Sequence, residues 1–263
     1  MTVIRNPVVA GMFYPANAGE LRANVETYLD QVEPRPGPAP KALIAPHAGY
    51  VYSGLVAAAA YASLWPYRDR YTRVILLGPC HRVAIRHLAL SGADVFRTPL
   101  GDVPQDKDVI VALDMPEVNV FEAAHQFEHS LEVHLPFLQI VLRTFTLVPL
   151  VVGGTTPETV ADVLKNLWGG KETLIVISSD LSHYLAYNEA RAKDRHTCEA
   201  IEHLDANRIG HADACGATSV RGLLIEAKRR AMQVTTLDLR NSGDTAGGKD
   251  RVVGYGAWMF SES

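Results

Sequence analysis

The chain has 263 residues, of which 48% are hydrophobic and 21% charged, the make-up of a folded globular protein and not of a disordered one. Its net charge of −4 excludes a general phosphate-backbone binder, so no nucleic-acid partner is expected. No apolar run reaches the roughly 18 residues of a membrane span, and the N-terminal stretch is broken by Pro7 and Pro15 and lacks a signal-peptide core. No membrane association and a cytoplasmic location are therefore expected.

In chain order, EPRPGPAP (33–40) reads as a surface connection. KALIAP (41–46) follows as a strand without polar alternation, the mark of burial on both faces. Residues 53–65 read as an Ala-rich helix with Ser53 as N-cap. RVILLG (73–78) is a second buried strand. Residues 130–142 carry Leu131, Leu135, Leu138 and Leu142 at helical spacing, with Pro136 forcing a kink or restart. FTLVPLVVG (145–153) is a third strand, and 156–168 is a helix opened by Thr-Pro-Glu. TLIVISS (173–179) is a fourth strand. Helices over 188–203 and 216–231 precede two terminal strands at 234–240 and 251–260. This alternation predicts one α/β domain over residues 1–263, with a mostly parallel central sheet flanked by helices.

Ligands in open α/β sheets gather beyond the carboxyl ends of the strands. Three of these runs end in reactive residues: Pro46-His47-Ala48-Gly49-Tyr50, Gly78-Pro79-Cys80-His81 and Ser178-Ser179-Asp180-Leu181-Ser182-His183. Parallel neighbours would bring His47, His81, Asp180 and His183 to one rim. An isolated histidine after a strand is commonly a hydrogen-bonded loop residue; three strand ends with the same habit point to a site. His183, three residues after Asp180, is expected to pair with that carboxylate and act as an acid/base group. Glu128-His129-Ser130-Leu131-Glu132-Val133-His134 is not HExxH, because its histidines are five apart. Its plain reading is an acidic helix start, with Glu128 and Glu132 favoured by the helix dipole. Its functional reading turns His129 toward the rim.

The three cysteines are too few for a disulfide framework, and none form CxxC. Cys198 reads as core. Cys215 precedes the 216–231 helix, where the dipole favours a metal-binding thiolate; the plain alternative is a small buried packing residue. No dinucleotide fingerprint, phosphate loop or nucleophile elbow is present.

GMFYPA (11–16), APHAGY (45–50), GPCH (78–81), FRTPLG (96–101), EHSLEVHLPFL (128–138), SSDLSH (178–183) and Cys215-Gly216 occur in an order that resembles the Memo-like family, also called AmmeMemoRadiSam system protein B. The resemblance spans nearly the whole chain. It implies a fold similar to class III extradiol dioxygenases, with a metal site lined by His47, His81 and Cys215. Asp180 and His183 would sit beside the metal, and His129 would bind substrate or act from behind the ligands. Cysteine in place of the dioxygenase carboxylate shifts the expected ion toward iron(II) or copper, with zinc also compatible. The implied activity is metal-dependent redox or oxygen chemistry on an unidentified substrate. A peptide- or protein-binding module using the same pocket and a zinc hydrolase are the competing readings. The family label also implies an AMMECR-like protein and a radical SAM enzyme as partners.

Overall fold

The computed structural model describes residues 1–33 and 37–262, so Pro34, Arg35 and Pro36 of the expected 33–40 connection lie outside the described residues. In chain order the strands are Ile4–Arg5 (β1), Ala42–Ala45 (β2), Arg73–Pro79 (β3), Leu88–Leu90 (β4), Val95–Thr98 (β5), Gly101–Pro104 (β6), Val118–Val120 (β7), Thr146–Val152 (β8), Thr173–Ser178 (β9), His183–Leu185 (β10), Gln233–Asn241 (β11) and Val252–Ser261 (β12). The helices are Ala18–Asp30 (α1), Tyr50–Ala62 (α2), Lys107–Ala112 (α3), Ala123–Gln126 (α4), Leu135–Val141 (α5), Pro157–Leu167 (α6), Tyr187–Glu202 (α7) and Ala217–Arg229 (α8).

The architecture is mixed α/β, a large sheet covered by helices on both faces. The four apolar runs lie side by side and parallel in the order β2-β9-β3-β8. Alternate residues of each strand enter opposite cores. Leu43, Val74, Leu76, Leu174 and Val176 pack on one face with α1, α2 and α5. Ile44, Ile75, Leu77, Ile175 and Ile177 pack on the other with α6, α7 and α8. Burial on both faces explains why these strands carry no polar alternation. The flanks are antiparallel: β12 adds to β2 and carries β11 and β10, while β4 adds to β8 and pairs parallel with β7. β1, β5 and β6 form a separate three-stranded sheet.

Two local expectations need correction. The helix expected from Ser53 begins at Tyr50, with Gly49 as its cap residue and no side-chain cap. The Ser53 hydroxyl donates 2.9 Å to the Ala48 carbonyl instead of accepting a helix N–H. The stretch expected as one helix over 130–142 is a short 3-10 turn at Glu132–His134 followed by α5, with Pro136 in the first turn of α5. Proline needs no amide donor there, which makes it a restart. The Thr156 cap is as expected, its hydroxyl accepting from Thr159 N–H at 3.1 Å.

The chain after β2 forms α2 on one face; α6 and α8, after β8 and β9, cover the other. Opposite crossovers leave a crevice at the carboxyl ends of the parallel strands. Among the described residues no helix is long and apolar enough to cross a membrane.

Candidate metal centre

Three parallel strands each deliver a candidate side chain two residues beyond their last residue: His47 after β2, His81 after β3 and Asp180 after β9. The turn after α4 brings His129 to the same place. A Cβ on Gly78 would stand 2.8 Å from both Ser130 Oγ and Leu131 Cδ2, so glycine at the end of β3 is what lets this turn dock. Ser130 Oγ then donates 2.9 Å to the Pro79 carbonyl and fastens it.

The rings of His47, His81 and His129 form a cluster whose candidate ligand atoms all lie within 4.8 Å of one another. It is a possible metal-binding group. Ring centroids are 5.2 Å apart for His47 and His81, 5.5 Å for His47 and His129, and 4.8 Å for His81 and His129. His47 is steeply inclined to both others, at 69° and 80°, whereas His81 and His129 are stacked at 23°.

The hydrogen bonds assign the tautomers. Ser178 Oγ donates its one proton to the Ser130 carbonyl at 2.7 Å. It therefore accepts from His47 Nδ1 at 2.6 Å, which leaves the His47 Nε2 lone pair free. His81 Nδ1 donates 2.9 Å to Glu128 Oε1, freeing its Nε2 likewise. Glu128 also accepts from the backbone N–H groups of His81, His129 and Ser130. Burial pushes the Glu128 carboxyl up, but the hydrogen bonds and charge of His81 outweigh it and hold the group down at about 2. His129 Nδ1 lies 3.3 Å from Glu128 Oε1 without hydrogen-bond geometry and is a buried nitrogen with no partner.

Cys215 stands on the other side of His47, with Sγ 3.4 Å from His47 Nε2. Its N–H donates 3.2 Å to the Asp180 carbonyl, and its sulfur accepts from Asp180 N–H at 3.3 Å. A Cβ on Gly216 would meet the Ser178 carbonyl at 2.6 Å, so glycine permits the close approach of this turn to β9. Burial, then the Asp180 charge, pushes the Cys215 thiol up to about 12. The expected thiolate bias of a helix start is thus overridden by desolvation. Burial also holds His47 well below the ordinary imidazole range, with His81 and His129 adding repulsion. It lowers His129 and raises Asp180 as well.

The expected Asp180–His183 hydrogen bond is absent. Asp180 Oδ1 accepts 2.8 Å from the His47 N–H, with Oδ2 4.0 Å from His47 Nε2. His183 is exposed and its Nδ1 donates 2.8 Å to the Leu181 carbonyl. The expected acidic helix start is also corrected. Glu128 orients the His81 ring and accepts the backbone N–H groups of His81, His129 and Ser130 from a non-helical turn. Glu132 is buried and accepts from Arg5, from Val8 and Val9 N–H, and from Tyr14 Oη at 2.6 Å. His134 faces away from the rim, its Nδ1 2.7 Å from Tyr61 Oη. Sequence reasoning missed Ser178 as a tautomer-setting residue and Phe13, whose ring lies 4.9 Å from that of His129. The SSDLSH and GMFYPA strings contained both residues without indicating what either touches.

The histidine and thiol donors suit a transition metal, and their hydrogen-bonded Nδ1 atoms follow the usual support of ligating imidazoles. Comparison with known proteins agrees with the sequence strings. The family model described as "Memo-like protein" matches residues 5–259. A MEMO1 family protein of Aquifex aeolicus is 36% identical over 98% of this chain and 99% of its own length. A MEMO1 family protein of Methanosarcina barkeri is 37% identical over 97% and 98%, respectively. Among solved structures, the uncharacterized protein JW3007 from Escherichia coli K12 superposes with a TM-score of 0.51 at 14% identity, over 83% of this chain and 98% of that one, a likeness of fold. The chain belongs to the Memo-like protein family.

Proposed function

We propose that the protein is a metal-dependent oxidoreductase that holds one iron(II) or copper ion through His47, His81 and Cys215. Such an ion, bound there, would supply redox or oxygen-activating chemistry at coordination positions left open by the three side chains. The observation that carries the reading is the pair of imidazoles whose Nδ1 protons are committed to Ser178 and Glu128, with a cysteine sulfur 3.4 Å from the free Nε2 of His47. His81 is fixed by Glu128, which leaves His129 to bind substrate or move a proton beside the ion. Phe13 packs against that ring, at 4.9 Å between centroids.

Asp180 would hold a proton beside His47, a role supported by burial that favours its neutral form and by its Oδ2 lying 4.0 Å from His47 Nε2. A zinc hydrolase is the second reading, favoured by the three clustered imidazoles with a carboxyl group beside them. Cooperation with an AMMECR-like protein and a radical SAM enzyme in the cytoplasm is proposed on the family resemblance.

Anaerobic purification, elemental analysis and oxygen-uptake measurements test this reading together. The expected result is near-stoichiometric iron or copper, and uptake that falls about 10²–10⁴-fold in Asp180→Asn with metal retained. Stoichiometric zinc with no uptake would shift the reading to a hydrolase. A metal-free protein that takes up none on titration would leave a binding module.

A further inference from the structure

A cavity of about 370 Å³ opens at the carboxyl ends of β3 and β8, beside the histidine cluster. Cys80 and Cys215 line it, so it borders His81 in sequence and touches His47 through the Cys215 sulfur. Ile85 and Val152 give it an apolar wall. Facing them, Thr218 and Ser219 open the first turn of α8. Both are buried, at 8% and 1% exposure, and neither hydroxyl has a hydrogen-bond partner among the described residues. At a helix start the first backbone N–H groups also lack intrahelical acceptors. The Ala217 and Val220 amides are taken by the Ala214 and Gly216 carbonyls, so the Thr218 and Ser219 amides and the two buried hydroxyls form one polar end of the cavity, with exposed His211 also in its lining.

That pattern asks for an acceptor with partial or full negative charge, which the helix dipole favours. No Lys, Arg, Asp or Glu lines the cavity, and His211 is its only imidazole. A phosphate dianion would find at most the single imidazole of His211 as a cationic partner, whereas a monoanion matches the roughly half-unit positive charge of a helix N-terminus without it. We propose that the cavity binds a small organic monocarboxylate, its carboxylate on Thr218 and Ser219 and its apolar body along Ile85 and Val152. The site deepens the metal-site reading, on which its role as the substrate pocket rests.

Calorimetric titration of the full chain with hexanoate, with and without added iron(II), tests the proposal. Hexanol and hexyl phosphate serve as comparisons, and melting curves check each variant. Hexanoate is expected to bind in both forms and more tightly than either comparison. Thr218→Val and Ser219→Ala should each weaken it roughly tenfold, the usual effect of losing one hydrogen bond to a charged group. Ala84→Trp, at an exposed lining position, should abolish binding by filling the mouth. No hexanoate binding, unchanged affinity in both hydroxyl variants, or tighter binding of hexyl phosphate would overturn the proposal. Hexanoate binding without metal isolates this inference from the oxidoreductase reading, since each can fail while the other stands.

Discussion

His125 shows how much one buried ring can govern. It is almost wholly buried, and its Nε2 donates 2.8 Å to the Ala89 carbonyl. Burial lowers its pKa to about 4, and Arg5 adds repulsion. Between about pH 6.5 and 4 the unfolded chain therefore binds more protons than the folded one, so stability falls as the pH falls through that window. The loss should total about 2–3 kcal/mol, and His125→Gln should remove most of it. Urea midpoints at pH 7 and pH 4.5 for both proteins check this; equal acid sensitivity would mean the ring protonates without penalty. At the same scale, His47, His81, Asp180 and Cys215 were legible because each follows a strand or opens a helix. Glu128 was not, because its function depends on residues 128–131 forming a turn, which helical leucine spacing disguised.

The turn that carries His129 is joined to the N-terminal segment by Glu132. This carboxylate, fully buried, gathers Arg5, two backbone amides and Tyr14. Removing one partner from a buried ion pair leaves an uncompensated charge and costs about 3–5 kcal/mol. Glu132→Ala should lose that much by urea denaturation and disturb His129. A change below 1 kcal/mol would mean the N-terminal segment contributes little to the fold. Gly78→Ala should act more locally. The added methyl group would press on Ser130 and Leu131 and displace the His129 turn, with destabilisation of roughly 1–3 kcal/mol. Proton NMR of the histidine ring resonances would detect that displacement, and unchanged His129 resonances would contradict it. The long buried strands were legible because their apolar runs are unbroken. Short strands such as Leu88–Leu90 and Val118–Val120 were not, because three residues carry no usable periodicity.

Over the whole molecule, the parallel expectation holds for β2, β9, β3 and β8, while the C-terminal strands are antiparallel. Strand order was not legible, because β9 inserts between β2 and β3 from about a hundred residues downstream, and no local pattern encodes that pairing. That insertion brings Asp180 and the Cys215 turn beside His47. The central claim is that His47, His81 and Cys215 hold the ion while His129 acts next to it. Anaerobic iron(II) titration of the unmodified protein, His47→Ala, Cys215→Ala and His129→Ala tests it most directly. His47→Ala and Cys215→Ala should weaken binding by more than roughly a hundredfold with the fold intact, and His129→Ala should retain one ion per chain. Loss of the ion in His129→Ala with full retention in Cys215→Ala would contradict the assignment and give the ion to the three histidines.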